Sequence, residues 1–179
     1  MSQRKGGPQG DSQQSGAAQR RTDVTTSPGE GAGGRGAQVP EGFVLFPTHP
    51  GFIAHVGPFY YKKGARPMVI GVRIDERHQN IRGIVHGGML VTIADSALGI
   101  AIARTSDPPH AMVTVNLSVD FVESANLGDW VEAHVDIQRI GKRMAYANCY
   151  LHVGERRILR ASGVFAMMPP LKPKEDFEG

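Results

Sequence analysis

Between Val85 and Ala103 the chain is rich in Ala, Leu, Ile and Met and has no proline, and its apolar positions fall on nearly every side of a helical wheel. A helix of that kind is stable in water only if other elements wrap it. The small residues Ala94, Ala97, Gly99 and Ala101 would let them approach closely. The sequence that follows supplies candidates. Four segments with period-two alternation, near Ala111–Phe121, Asp129–Arg139, Arg143–Val153 and Arg157–Met168, are separated by turn-forming stretches such as Ala125–Asp129, Ile140–Lys142 and Val153–Glu155. Ahead of the helix, Met68, Ile70, Val72 and Ile74 alternate with Val69, Gly71, Arg73 and Asp75, predicting a strand over Pro67–Asp75. The aromatics mixed with Gly and Pro upstream predict another near Phe52–Tyr61, and Glu76–Ile84 reads as a polar loop. One long helix between an opening hairpin and four consecutive strands is an α+β order, not the alternation of a doubly wound sheet. The expected architecture is a curved antiparallel sheet of about six strands rolled around the helix.

Composition narrows the classes. The first 39 residues hold Gly, Gln, Ser and Arg with almost no large apolar side chain, too little to offset the entropy of ordering, so residues 1–39 are expected to be a disordered tail. Residues 40–169 form the expected domain, and 170–179 a Pro- and charge-containing tail. Arg4, Lys5, Arg20, Arg21 and Arg35 against Asp11, Asp23 and Glu30 give the N-terminal tail +2 of the formal +3 charge, leaving the domain nearly neutral. With no Lys/Arg stripe interleaved with aromatics, nucleic acid is not an expected partner. The longest apolar stretch, Ile84–Ala103, is broken by His86, Thr92, Asp95 and Ser96, unlike a membrane span, so no membrane association is expected. The tail lacks the features of a secretory or transit peptide. Cys149 stands alone, which excludes an intrachain disulfide and fits a cytoplasmic location. Seven histidines show no ligand spacing with Cys or carboxylates, so neither a metal nor any other cofactor is expected. Apolar residues on the outer sheet face, among them Tyr146, Val164 and Met168, lead us to expect at least a dimer.

The chemistry-bearing residues lie in one stretch, Asn80 to Asp95. His86-Gly87-Gly88 stands where loop becomes helix, so first-turn N–H groups point outward with the positive end of the dipole and could hold an oxyanion. The same glycines could instead merely allow a tight entry. Asp95 lies between apolar neighbours, where a carboxylate is costly unless it has partners or a task. It shares a face with Thr92, Ser96 and Gly99, and that notch could equally be a solvent-facing stripe or an interface. Asn80 offers an amide that could orient a carbonyl or water, or be an ordinary turn Asn.

Asn80, the His86-Gly87-Gly88 triplet and Asp95, at their spacing, resemble the PaaI-like branch of hotdog thioesterases. The likeness runs from Gly51 to Met168, through Val113–Leu117 and Gly141-Lys142-Arg143 into Leu159–Gly163. The resemblance implies hydrolysis of acyl-CoA thioesters. Asp95 would be general base or nucleophile, the Gly87 N–H would polarise the carbonyl, and Asn80 would orient the attacked group. Thr114 would steady the water, His86 would fix the loop, and Gly88, Lys142 and Arg143 would bind substrate, the two cations meeting CoA phosphates. It also implies that Asn80 and Asp95 from different chains complete one site, in a homodimer or homotetramer. A non-catalytic acyl-CoA-binding module, and a hotdog dehydratase or hydratase, share the fold and stand as alternatives. Phe43, Phe46, Phe52, Phe59, Tyr60 and Tyr61 could line an acyl pocket or cover the sheet.

Overall fold

The helix forms where the sequence predicts it, and the sheet closes round it. In the computed structural model, which describes residues 38–47, 51–106 and 109–169, all described residues fall in one compact unit within residues 36–179. The tails expected at 1–39 and 170–179 lie outside the described residues, Gln38 and Val39 excepted. Before the long helix come β1 (Phe43–Leu45), α1 (Phe52–Val56), β2 (Phe59–Lys62) and β3 (Ile70–Arg73). The long helix is α2 (Gly87–Ala103), followed by β4 (Ala111–Phe121), β5 (Trp130–Ile140), β6 (Met144–Val153) and β7 (Arg156–Met168). The strands make one antiparallel sheet in the order β1-β2-β3-β5-β6-β7-β4.

One expectation for the N-terminal part, a strand beginning near Phe52, is corrected, and the expected sheet of about six strands has seven. The sheet has seven strands because Phe43–Leu45 pairs with β2, and Phe52–Val56 is a single helical turn instead of the start of a strand. Five residues between Gly51 and Gly57 are too few for a helical period to show, and aromatics beside glycine and proline imitate an extended segment.

The core lies between α2 and the concave face of the sheet. Leu90, Ile93, Ala97, Leu98 and Ile102 of the helix are almost fully buried, against Val131, Ala133, Leu151 and Leu159 of the strands. Contact is close at Gly163 of β7. A Cβ there would lie 2.9 Å from Leu98 Cδ1 and 2.7 Å from the Phe165 ring, so a glycine lets the helix settle on the sheet. Cys149 is buried in β6, and desolvation pushes its thiol up to about 12. No helix among the described residues is long and apolar enough to cross a membrane.

Leu98→Ala leaves a void where the helix packs closely on Gly163 of the sheet. It is expected to cost about 2–5 kcal/mol, read as a lower denaturant midpoint with an unchanged slope. Loss below about 0.5 kcal/mol would contradict the packing described.

Candidate active site

The start of α2 is set by its own cap. His86 Nδ1 accepts the Gly88 N–H at 2.9 Å, and the His86 carbonyl accepts the Met89 N–H at 2.9 Å. Among the described residues no acceptor meets the Gly87 N–H, and a Cβ on Gly87 would lie 3.2 Å from the Phe121 ring. The two glycines therefore differ. The Gly88 amide is engaged with the His86 ring. The Gly87 amide is the first-turn donor left for an acceptor.

The loop before the helix is a small hairpin. Gln79 bridges Val85, Ile84 bridges Asn126, and Gly83 takes the turn position with φ of +76° that suits glycine. Asn80 begins this turn. Its Oδ1 accepts the Arg82 N–H at 2.8 Å, its own N–H donates to Ile84 O at 2.8 Å, and no acceptor for its Nδ2 is present among the described residues. The turn geometry thus uses the carbonyl half of the amide and leaves the donor half.

Sequence reasoning missed the residue that anchors this loop. His78 is 2 % exposed, the one buried polar side chain of the described core. Its Nδ1 accepts the Asp75 N–H at 3.0 Å, its Nε2 donates to Val56 O at 2.9 Å, and its carbonyl accepts the His86 N–H at 2.8 Å. The ring ties the segment after β3 to the end of α1, and the backbone carbonyl of the same residue holds the one that caps α2. The available signal was Asp75 three residues ahead of His78, the spacing of a capping pair, at a strand end.

Asp95 lies half-buried in α2 and faces the edge strand. The Thr114 hydroxyl donates to Asp95 Oδ1 at 2.9 Å. Thr114 is aimed at the helix by a bulge in β4: Thr114 pairs with Phe165 and Asn116 with Val164, so Val115 has no opposite residue. Asp95 and Thr114 line a groove between α2 and β4 with Phe52 and Ile53 of α1, Val91 and Leu117, about 350 Å³ in volume. A second cavity of about 660 Å³ continues from Asp95, Ser96 and Gly99 along the C-terminal half of α2 to Met168. The polar stripe of Thr92, Asp95, Ser96 and Gly99 is thus the wall of a groove.

Within one chain the expected residues do not all meet. Asp95 and Thr114 are joined. Gly87 lies eight residues before Asp95, about 12 Å along the helix axis. Lys142 and Arg143 are exposed on the β5–β6 turn, where the Arg143 carbonyl accepts the Met167 N–H at 2.9 Å, and they contact neither Asp95 nor Thr114. Most of the aromatics serve other ends. Phe59 is in the core, Phe43 and Tyr60 pack on Trp130, Phe46 packs on Tyr61, and only Phe52 reaches the groove at Asp95. No group of three or more His, Cys, Asp or Glu side chains fit to hold a metal occurs among the described residues.

An antiparallel sheet rolled round one long helix is the hotdog fold. Solved hotdog structures superpose on the chain, among them zebrafish thioesterase superfamily member 2, with a TM-score of 0.62 at 22% identity, covering 67% of this chain and 88% of that one. A Streptococcus pneumoniae hypothetical thioesterase solved with coenzyme A gives 0.55 at 18% identity, covering 59% and 83%. The Escherichia coli PaaI protein of the phenylacetic acid degradation operon gives 0.53 at 19%, covering 57% and 72%. In sequence, residues 82–159 match the family described as the thioesterase superfamily. A Pseudomonas aeruginosa protein provisionally named an esterase is 48% identical over 129 residues, which are 71% of this chain and 96% of that protein. Mouse acyl-coenzyme A thioesterase 13 is 26% identical over 81 residues, 45% of this chain and 57% of the relative. The chain belongs to the thioesterase superfamily.

His78→Ala removes the ring that holds the loop and leaves the Asp75 N–H and Val56 carbonyl unpaired. The expected cost is about 1–3 kcal/mol, with faster hydrogen exchange at the His86 amide. Unchanged exchange there would show that the loop is held by something else.

Proposed function

We propose that the chain hydrolyses acyl-CoA thioesters to free acid and CoA, with Asp95 as the group the chemistry depends on. The observation that carries this is a carboxylate held by the Thr114 hydroxyl at 2.9 Å inside a largely apolar groove. The relative named acyl-coenzyme A thioesterase and the neighbour solved with coenzyme A support the choice of thioester.

The site is completed by a second copy. β4 is an eleven-residue edge strand carrying Val113, Val115 and Phe121 at 52%, 57% and 57% exposure, an edge that invites pairing with another strand. Antiparallel pairing of two β4 strands about Ser118 sets Asn116 opposite Asp120 of the partner subunit. Through the bulge it sets Thr114 opposite Phe121 of the partner subunit, with both side chains on the helix side. Phe121 stands against Gly87 and Thr114 against Asp95, so this register brings the free amide of one chain to the carboxylate of the other.

In the reaction, Asp95 takes a proton from a water whose oxygen attacks the carbonyl carbon. The Gly87 N–H of the partner subunit meets the charge on the carbonyl oxygen, a donor worth about 10² to 10³ in rate. The C–S bond then breaks and the CoA sulfur takes the proton from Asp95. Direct attack by the Asp95 carboxylate uses the same contacts and releases the same products after hydrolysis of the anhydride. Thr114 fixes the carboxylate in either route. Asn80, with its Nδ2 free, orients the attacked group, and His86 holds Gly88 and with it the first turn. Water is the only co-reactant this chemistry needs.

Asp95→Asn is expected to keep the fold and lose nearly all free-thiol release from acyl-CoA, a fall of about 10² to 10⁴. His86→Ala should fall less. Wild-type turnover by Asp95→Asn, or a greater loss in His86→Ala, refutes the assignment, and binding without thiol release by the wild type would favour the non-catalytic module. The register has its own test. Strand pairing puts the two Ser118 Cα atoms about 4.5–5.5 Å apart, within disulfide reach. Ser118→Cys should cross-link into a covalent dimer under mild oxidant, without competition from the buried Cys149. A chain that stays monomeric on a non-reducing gel rules the register out.

A further inference from the structure

We infer that the larger cavity is an acyl-chain channel for flexible aliphatic acyl groups of medium length, and that Gly99 sets the length it accepts. The inference rests on the thioesterase reading of Asp95. The cavity of about 660 Å³ begins at Asp95 and follows α2 past Gly99 to Ala103, ending against Met168. Eight helical residues separate Asp95 from Ala103, about 12 Å. C–C bonds of about 1.5 Å advance an extended chain by about 1.3 Å each, so the channel holds roughly nine carbons beyond the carbonyl.

The lining argues for alkyl over other occupants. Ile53, Ile100, Ala103, Met112, Phe165 and Met168 present aliphatic or soft, adaptable surface. Phe165 and His110 are the rings there, Phe52 stands at the adjoining groove, and Phe43, Phe46, Tyr60 and Tyr61 pack on one another or on Trp130. The pantetheine arm of CoA is the competing occupant. The β5–β6 turn with Lys142 and Arg143 adjoins the Met168 end of the sheet, where it could meet CoA phosphates. Against that occupant, two amides of the arm would find polar side chains only at Asp95, Ser96, Thr114 and His110 and would otherwise meet apolar walls, a cost that an alkyl chain does not carry.

Gly99 is the position where this channel is open because a side chain is missing. A Cβ built there meets only the Phe165 ring, at 3.9 Å, which is ordinary contact. A larger side chain can therefore be accommodated at its base while its branches occupy the channel. Alanine or leucine also favours the helix more than glycine does, so both variants should fold.

The test uses the full chain with butyryl-CoA and decanoyl-CoA, following free-thiol release. For Gly99→Leu the ratio of kcat/KM, decanoyl over butyryl, should fall by roughly tenfold or more, the scale on which apolar pockets discriminate methylenes. Gly99→Ala should fall between wild type and Leu. A uniform rise in KM for both substrates would place the pantetheine arm in the channel and overturn the inference, as would an unchanged ratio. Both results leave Asp95-dependent hydrolysis standing, whereas a wild type that releases no thiol from either substrate removes the thioesterase reading and the inference together.

Discussion

Everything in this fold follows from the need to enclose a helix that is apolar almost all round. The sheet covers α2 on the sides where Ile93, Ala97, Leu98 and Ile102 point, and Gly163 permits the contact to be close. What the sheet leaves uncovered is the strip facing β4, and that strip carries Thr92, Asp95, Ser96 and Gly99. The carboxylate therefore opens to its surroundings along this strip. Its position reflects the geometry of enclosure as much as the chemistry of a site.

The sequence was most informative where a long period left little choice. The α2 limits match the predicted apolar run to within a turn, and all four following strands lie where the alternation put them, because each is ten or more residues long. It was least informative before residue 62. There β1 has three residues and α1 five, too short for either period to repeat, and their conformation is decided by tertiary contact.

The site shows the same division. That Asp95 and Thr114 belong together came from resemblance, and the hydrogen bond between them depends on a strand-to-helix approach no local pattern encodes. The difference between Gly87 and Gly88 was not legible, since it turns on which way the His86 ring folds back. His78 was hidden for a related reason: its three partners are scattered from Val56 to His86 in the chain, and only the folded molecule gathers them.

The bulge in β4 has a further effect. A regular strand presents alternate residues to one side, so inward positions are separated by even numbers. Thr114 and Leu117 both face the helix at a spacing of three, which the unopposed Val115 makes possible. Drawing Val115 into the ladder with no residue removed would turn the Thr114 hydroxyl to the outer surface and orphan the carboxylate, whereas deleting Val115 would leave Thr114 opposite Phe165 and facing the helix. The arithmetic of side-chain parity, more than any single contact, ties the length of this edge to the wiring of the groove.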